Sequence, residues 1–159
     1  ATPAAAADST GSGTFARKGK TSISVTFKDV YAFRADDERW GPVTVVIFSD
    51  SPLDKKGMTA ALRKERSWGA VRGSYNYLAK MAHAKLEIRE DGSVRGFYLY
   101  SQGSNIDMDG GKIAVKVNTA KRVEGSYSYD GKMFDDVYKL DLRFATDLAD
   151  VGAGPPVKN

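Results

Sequence analysis

A chain of 159 residues with 42% hydrophobic and 28% charged residues is long enough for one domain with a proper core, and this composition excludes wholesale disorder. The longest apolar run, Val45-Val46-Ile47-Phe48, falls far short of the roughly 18 residues that would suggest a membrane span, so a soluble protein is expected. The net charge of +4 is spread over 24 basic and 20 acidic residues that alternate along most segments, which argues against nucleic acid as a partner. Even the local groups Arg17-Lys18-Gly19-Lys20 and Lys55, Lys56, Arg63, Lys64, Arg66 read as solvated faces. The absence of cysteine removes disulfides, thiolate nucleophiles and Cys-based metal sites together.

Residues 1–13 are small, polar and rich in Gly, Ser and Pro, a composition that buries little surface and predicts a flexible segment or a freshly cleaved mature end. Residues 14–149 then form one β-rich domain, and 150–159 a flexible tail. In 22–34 the odd positions Ile23, Val25, Phe27, Tyr31 and Phe33 are apolar, the alternation of a half-buried strand. Lys28-Asp29 interrupts it and marks a bulge or a bend into a second strand. Val43 to Ser49 is apolar on both faces, as in a central strand or one covered by a helix on its second side. A helix is predicted over 52–65, with Ser51 as N-cap, Pro52 in the first position and the stripe Leu53, Met58, Ala61, Leu62. The stretch 68–81 has no clear period and is left open.

From Ala84 onward the period is two. Ala84, Leu86 and Ile88 lead to Asp91-Gly92, a two-residue hairpin signal, and to a return strand from Val94 to Ser101. Ile113, Val115 and Val117 make the next strand, followed by Val123 to Tyr129, a turn at Asp130-Gly131, and Tyr138 to Phe144. Seven to eight strands with short connections predict a mainly β fold: an antiparallel meander barrel or a two-layer sandwich, with one packed α-helix.

Two segments carry a resemblance. Val43-Thr44-Val45-Val46-Ile47-Phe48-Ser49-Asp50-Ser51-Pro52-Leu53-Asp54 resembles a strand-turn-helix stretch of exported β-rich proteins of proteobacteria whose function is unknown. Lys121-Arg122-Val123-Glu124-Gly125-Ser126-Tyr127 through Leu142-Arg143-Phe144-Ala145-Thr146 is similar to the closing hairpin of the same proteins. The resemblance implies a periplasmic or extracellular location and carries over no catalytic residue.

No motif fixes a chemistry. His83 is the only histidine, which leaves no partner for a His-cluster metal site, and no Gly-x-Ser-x-Gly elbow accompanies it. Asn105, Asp107 and Asp109 before Gly110 match the first half of a calcium loop. Lys116 stands where that loop needs a bidentate Glu, so a turn is favoured and the three residues remain only a weak calcium candidate. Asp36, Asp37 and Glu38 could supply paired carboxylates, but exposed loop acids are common. Tyr98 with Tyr100, Tyr127 with Tyr129, and Trp40 form the candidate binding set: same-face tyrosines can stack ligands or dock a protein, and can equally pack across strands.

The residues therefore favour a non-catalytic binding protein of the bacterial envelope or secreted space, engaging a protein partner as an inhibitor, immunity-type protein or assembly component. The alternative is a carrier of a small apolar ligand in a β-barrel cavity, with Gly96, Ala114 and Gly125 leaving room inside. An enzyme is the third reading, and no cofactor is expected.

Overall fold

The computed structural model describes residues 9–37, 41–64, 78 and 80–152. Among the described residues ten antiparallel strands form two five-stranded sheets, and the alternatives left open by the sequence resolve to a sandwich, not a closed barrel. Sheet A has the order β2-β1-β10-β9-β8 and sheet B the order β3-β4-β5-β6-β7. Sheet A comprises β1 (Thr10–Lys18), β2 (Ile23–Phe27), β8 (Lys112–Asn118), β9 (Arg122–Met133) and β10 (Asp136–Asp147). Sheet B comprises β3 (Asp29–Asp37), β4 (Gly41–Ser49), β5 (His83–Arg89), β6 (Val94–Ser101) and β7 (Ser104–Asp107). The single helix of the described residues, α1, is Lys55–Lys64.

The inner faces meet in a core of Phe15, Val25, Phe27, Val46, Phe48, Leu86, Leu99, Tyr127, Leu142 and Phe144, with edge-on packing of Phe48 against Phe144 at 6.0 Å. Alternating apolar side chains put one face of each strand there, and their burial drives the two sheets together. A second cluster lies on the other side of sheet B, where Met58 and Leu62 of α1 cover Tyr31, Phe33, Val43, Val45 and Ile47. Both options read for Val43 to Ser49 are therefore realised: β4 is internal to its sheet and lies under the helix.

The break at Lys28-Asp29 is a change of sheet. β2 ends in sheet A and β3 begins in sheet B, with the Lys28 amide bonded to Ser49 O at 2.8 Å. The phase flips there, so Val30 and Ala32 face the inner core and Tyr31 and Phe33 the helix. The two sheets also touch where the chain leaves β10: Leu148 bridges Ala32 in parallel, and the Ala149 amide bonds Ala32 O at 2.8 Å.

Several boundaries differ from the sequence reading. Residues 10–13, expected to be flexible, belong to β1, an internal strand of sheet A. Gly11 is required there, because a Cβ would lie 2.2 Å from the Val30 side chain of the facing sheet. At the other end, Val151 is buried in the helix-side cluster and does not belong to a loose tail. The helix is capped by Asp54, whose carboxylate accepts the Gly57 amide at 2.9 Å while its carbonyl accepts that of Met58; the expected cap, Ser51, lies before the helix. The Asp91-Gly92 hairpin forms through the longer connection 90–93, with the Gly92 amide bonded to Arg89 O at 2.9 Å.

Asp130-Gly131 is no turn. Both residues are paired within β9, opposite Lys139 and Tyr138. The chain reverses at Phe134 and Asp135, with φ of +48° and +69°, a two-residue turn between the paired Met133 and Asp136. Positive φ at a bulky residue costs about 1–2 kcal/mol and is usually left to Gly or Asn, which is why no turn signal marks the place. Most of 68–81, together with Trp40 and Glu38, lies outside the described residues, although Leu78 is buried under the helix side of sheet B.

Candidate functional site

The two outer faces are built differently. On sheet B, the outward positions of β3 and β4 are apolar and lie under α1, whereas β5, β6 and β7 carry a polar strip. In it Glu87, only 7% exposed, accepts an ion pair from Lys85 at 2.8 Å and another from Arg95. Arg95 reaches it from a bulge in which the register slips between Glu87 and Ile88. Burial pushes the Glu87 carboxyl up, but the Lys85 ammonium and the Arg95 guanidinium more than offset this and hold it below the ordinary carboxylate range.

Tyr98 and Tyr100 share this face, half-buried, as the alternation predicted. Tyr100 stacks on the ring of His83 with centroids 5.4 Å apart, and the Tyr98 hydroxyl donates to Asn105 Oδ1. His83 is 5% exposed, with Nδ1 3.1 Å from Met81 O, so it is a packed member of the sheet face. Tyr127 is different. It is 1% exposed in the core between the sheets, 5.3 Å from Phe97, which removes it from the candidate binding surface; Tyr129 packs beside that core. The two tyrosine pairs thus lie on different sheets, the first on an outer face and the second turned toward the core.

The calcium reading also changes. Asn105 and Asp107 sit on the extended strand β7, with Asp109 beyond its end, so the first half of the motif is strand and not loop. Among the described residues no group of three or more His, Cys, Asp or Glu could hold a metal. Asp36 and Asp37 pair through their backbones with Pro42 and Gly41 at the end of β3.

Sheet A presents the surface that sequence alone did not single out. No other described element covers its outer face, which holds an open groove of about 760 Å³. The strand order aligns small and charged side chains across it. Ser12, Arg143, Ser126 and Ala114 form one cross-strand row over β1, β10, β9 and β8, and Thr14, Asp141, Ser128 and Lys112 form the next. Along β10 the groove is lined by Lys139, Asp141 and Arg143, alternating in sign, with Lys116, Glu124 and Asp130 on the neighbouring strands. Successive outward residues of a strand lie about 7 Å apart, so the like charges of β10 are separated, while across strands Lys139 stands opposite Asp130. At the edge of the groove Arg122 bonds Glu124 at 2.7 Å and Asp147 at 2.9 Å; Lys139, Asp141 and Arg143 have no ion-pair partner among the described residues.

Small residues on β6, β8 and β9 do not open the interior. Ala114 is exposed on this outer face, Gly96 lies on the outer side of sheet B opposite Glu87, and the Phe144 ring lies over Gly125, 3.0 Å from where its Cβ would be. A second cleft of about 470 Å³, between β2 and the ends of β5 and β6, is lined by Ser24, Thr26, Lys28, Asp50, Lys80 and Tyr100 and is polar as well. The chain has no match among protein-family models, curated proteins or solved structures, so its placement rests on the geometry above.

Proposed function

We propose that this chain is a non-catalytic binding protein of the bacterial periplasm or extracellular space that engages a protein partner through the uncovered face of sheet A. One observation carries the reading: a rigid face of hydroxyl and methyl side chains, backed by the inter-sheet core, presents Lys139, Asp141 and Arg143, which form no ion pair with another described residue. Short side chains fixed on strands lose little entropy when another surface covers them. Alternating charges set register and orientation against a complementary surface, and they suit neither a polyanion nor an apolar ligand. The resemblance of the segments 43–54 and 121–146 to exported proteins supports the location.

Affinity capture from an envelope extract, followed by titration of the recovered protein against wild type and Arg143→Glu, tests the reading. The charge reversal is expected to weaken binding at least about tenfold with the fold unchanged, because it places a like charge against the partner group that Arg143 faces. A recovered protein that binds both forms equally, or the recovery of none at physiological salt, contradicts it.

A further inference from the structure

The two exposed large hydrophobic residues among the described residues, Phe134 and Val137, lie together at one end of the molecule. Phe134 is 100% exposed at the tip of the β9–β10 hairpin, in a left-handed conformation that the fold would fill more easily with Asn or Gly. Val137, 46% exposed, is flanked in register by Lys18 of β1 and Lys132 of β9. The β1–β2 turn lies alongside, where the Lys20 amide is 3.4 Å from Asp136 Oδ1. Lys18, Lys20 and Lys132 are all exposed. The tip also carries two carboxylates, Asp136 beside that amide and Asp135 3.7 Å from Lys132, so its three lysines exceed its acids by one charge.

We infer that this tip docks on an anionic lipid bilayer, with Phe134 and Val137 entering the interfacial zone and Lys18, Lys20 and Lys132 meeting lipid phosphates. Retaining an exposed aromatic at a position that strains the backbone needs a use for the ring outside the fold. An apolar point ringed by flexible ammonium groups has the chemistry of a surface anchor, combining buried apolar area with attraction to negative headgroups. The tip is convex, so a bilayer receives it without a matching socket. The polar groove on sheet A could not receive it from a second copy of the chain. This surface is separate from the groove, and the inference stands or falls independently of the protein-partner reading.

Co-sedimentation of the full chain with vesicles of phosphatidylcholine alone, or mixed with phosphatidylglycerol, tests it. Wild type is expected to partition onto the mixed vesicles only, with binding that falls as salt rises. Phe134→Asn is expected to reduce partitioning about tenfold while keeping or raising the thermal midpoint, because Asn suits the turn. Lys18→Gln with Lys132→Gln is expected to lower it by about tenfold or more and flatten the salt dependence. Absence of vesicle binding, equal binding to both vesicles, or a Phe134→Asn variant that binds like wild type overturns the inference. A protein socket for the tip would appear as the first of these results.

Discussion

Among the described residues sheet B is covered on both sides at β3 and β4 and sheet A on one, and the difference is written in which strand positions carry apolar groups. Along β4 seven consecutive residues, 43–49, are buried, because one set meets the facing sheet and the other meets α1. Along β10 only every second residue is buried, from Tyr138 to Phe144, and the intervening Lys139, Asp141 and Arg143 face outward. A sheet buried twice acts as the structural centre of the domain. A sheet buried once keeps a face whose chemistry is free to serve recognition, since substitutions there cost the fold little.

That contrast sets the order of expected effects. Leu142→Ala, between the sheets, should lower unfolding free energy by about 3 kcal/mol or more, and Leu62→Ala, under the helix, by about 2–4 kcal/mol, both read by urea titration. Ser126→Ala, on the open face, should stay within about 0.5 kcal/mol. If Ser126→Ala matched Leu142→Ala, the outer face of sheet A would be structural, and the contrast would fail.

A smaller effect comes from the polar strip of sheet B. The folded Glu87 carboxyl is held below its ordinary value of 4.5, so the stability it contributes is complete above that pH and is lost as pH falls through the folded value. Asp29 acts the same way from 3.8: burial pushes it up, but the Leu53 amide, the Lys55 ammonium and the Val30 amide outweigh burial. The urea midpoint should therefore be level from neutral pH to about 5 and fall below it. Glu87→Gln should cost about 1–3 kcal/mol at neutral pH, because Lys85 and Arg95 lose their shared anion, and should flatten part of the acid fall. A Glu87→Gln variant with the wild-type acid profile would place that stability elsewhere.

Much of the fold was legible where side chains alternate, as in β2, β5, β6 and β10, because period two with one buried face has few other solutions. β1 was hidden for a physical reason. Gly11, Ser12 and Gly13 look like a linker, yet the glycines are small so that Val30 and Leu142 can lie against the strand backbone. The last hairpin was misplaced because Asp130-Gly131 has the composition of a turn, whereas the actual reversal uses Phe134, a residue no turn preference selects. Ser51-Pro52 looked like a helix start, but Asp54 has the side chain that reaches the free amide.

The candidate site was less legible. Tyr98 and Tyr100 were placed on a shared face correctly, but nothing in local pattern distinguishes them from Tyr127, which the inter-sheet core absorbs. The groove of sheet A was invisible because Ser12, Arg143, Ser126 and Ala114 come from four strands. Each reads locally as an ordinary solvated position, and only the strand order brings them into one row.

Because the chain has no cysteine, single thiols can report each face without background. Labelling rates of Ser126→Cys on the outer face of sheet A and Val45→Cys beneath α1 test the asymmetry most directly. The account predicts that the Ser126→Cys thiol reacts in the native protein at nearly the rate of an unfolded thiol, and that the Val45→Cys thiol reacts only as fast as the protein opens. Equal protection of the two thiols in the isolated chain would contradict it, because sheet A would then be covered as well.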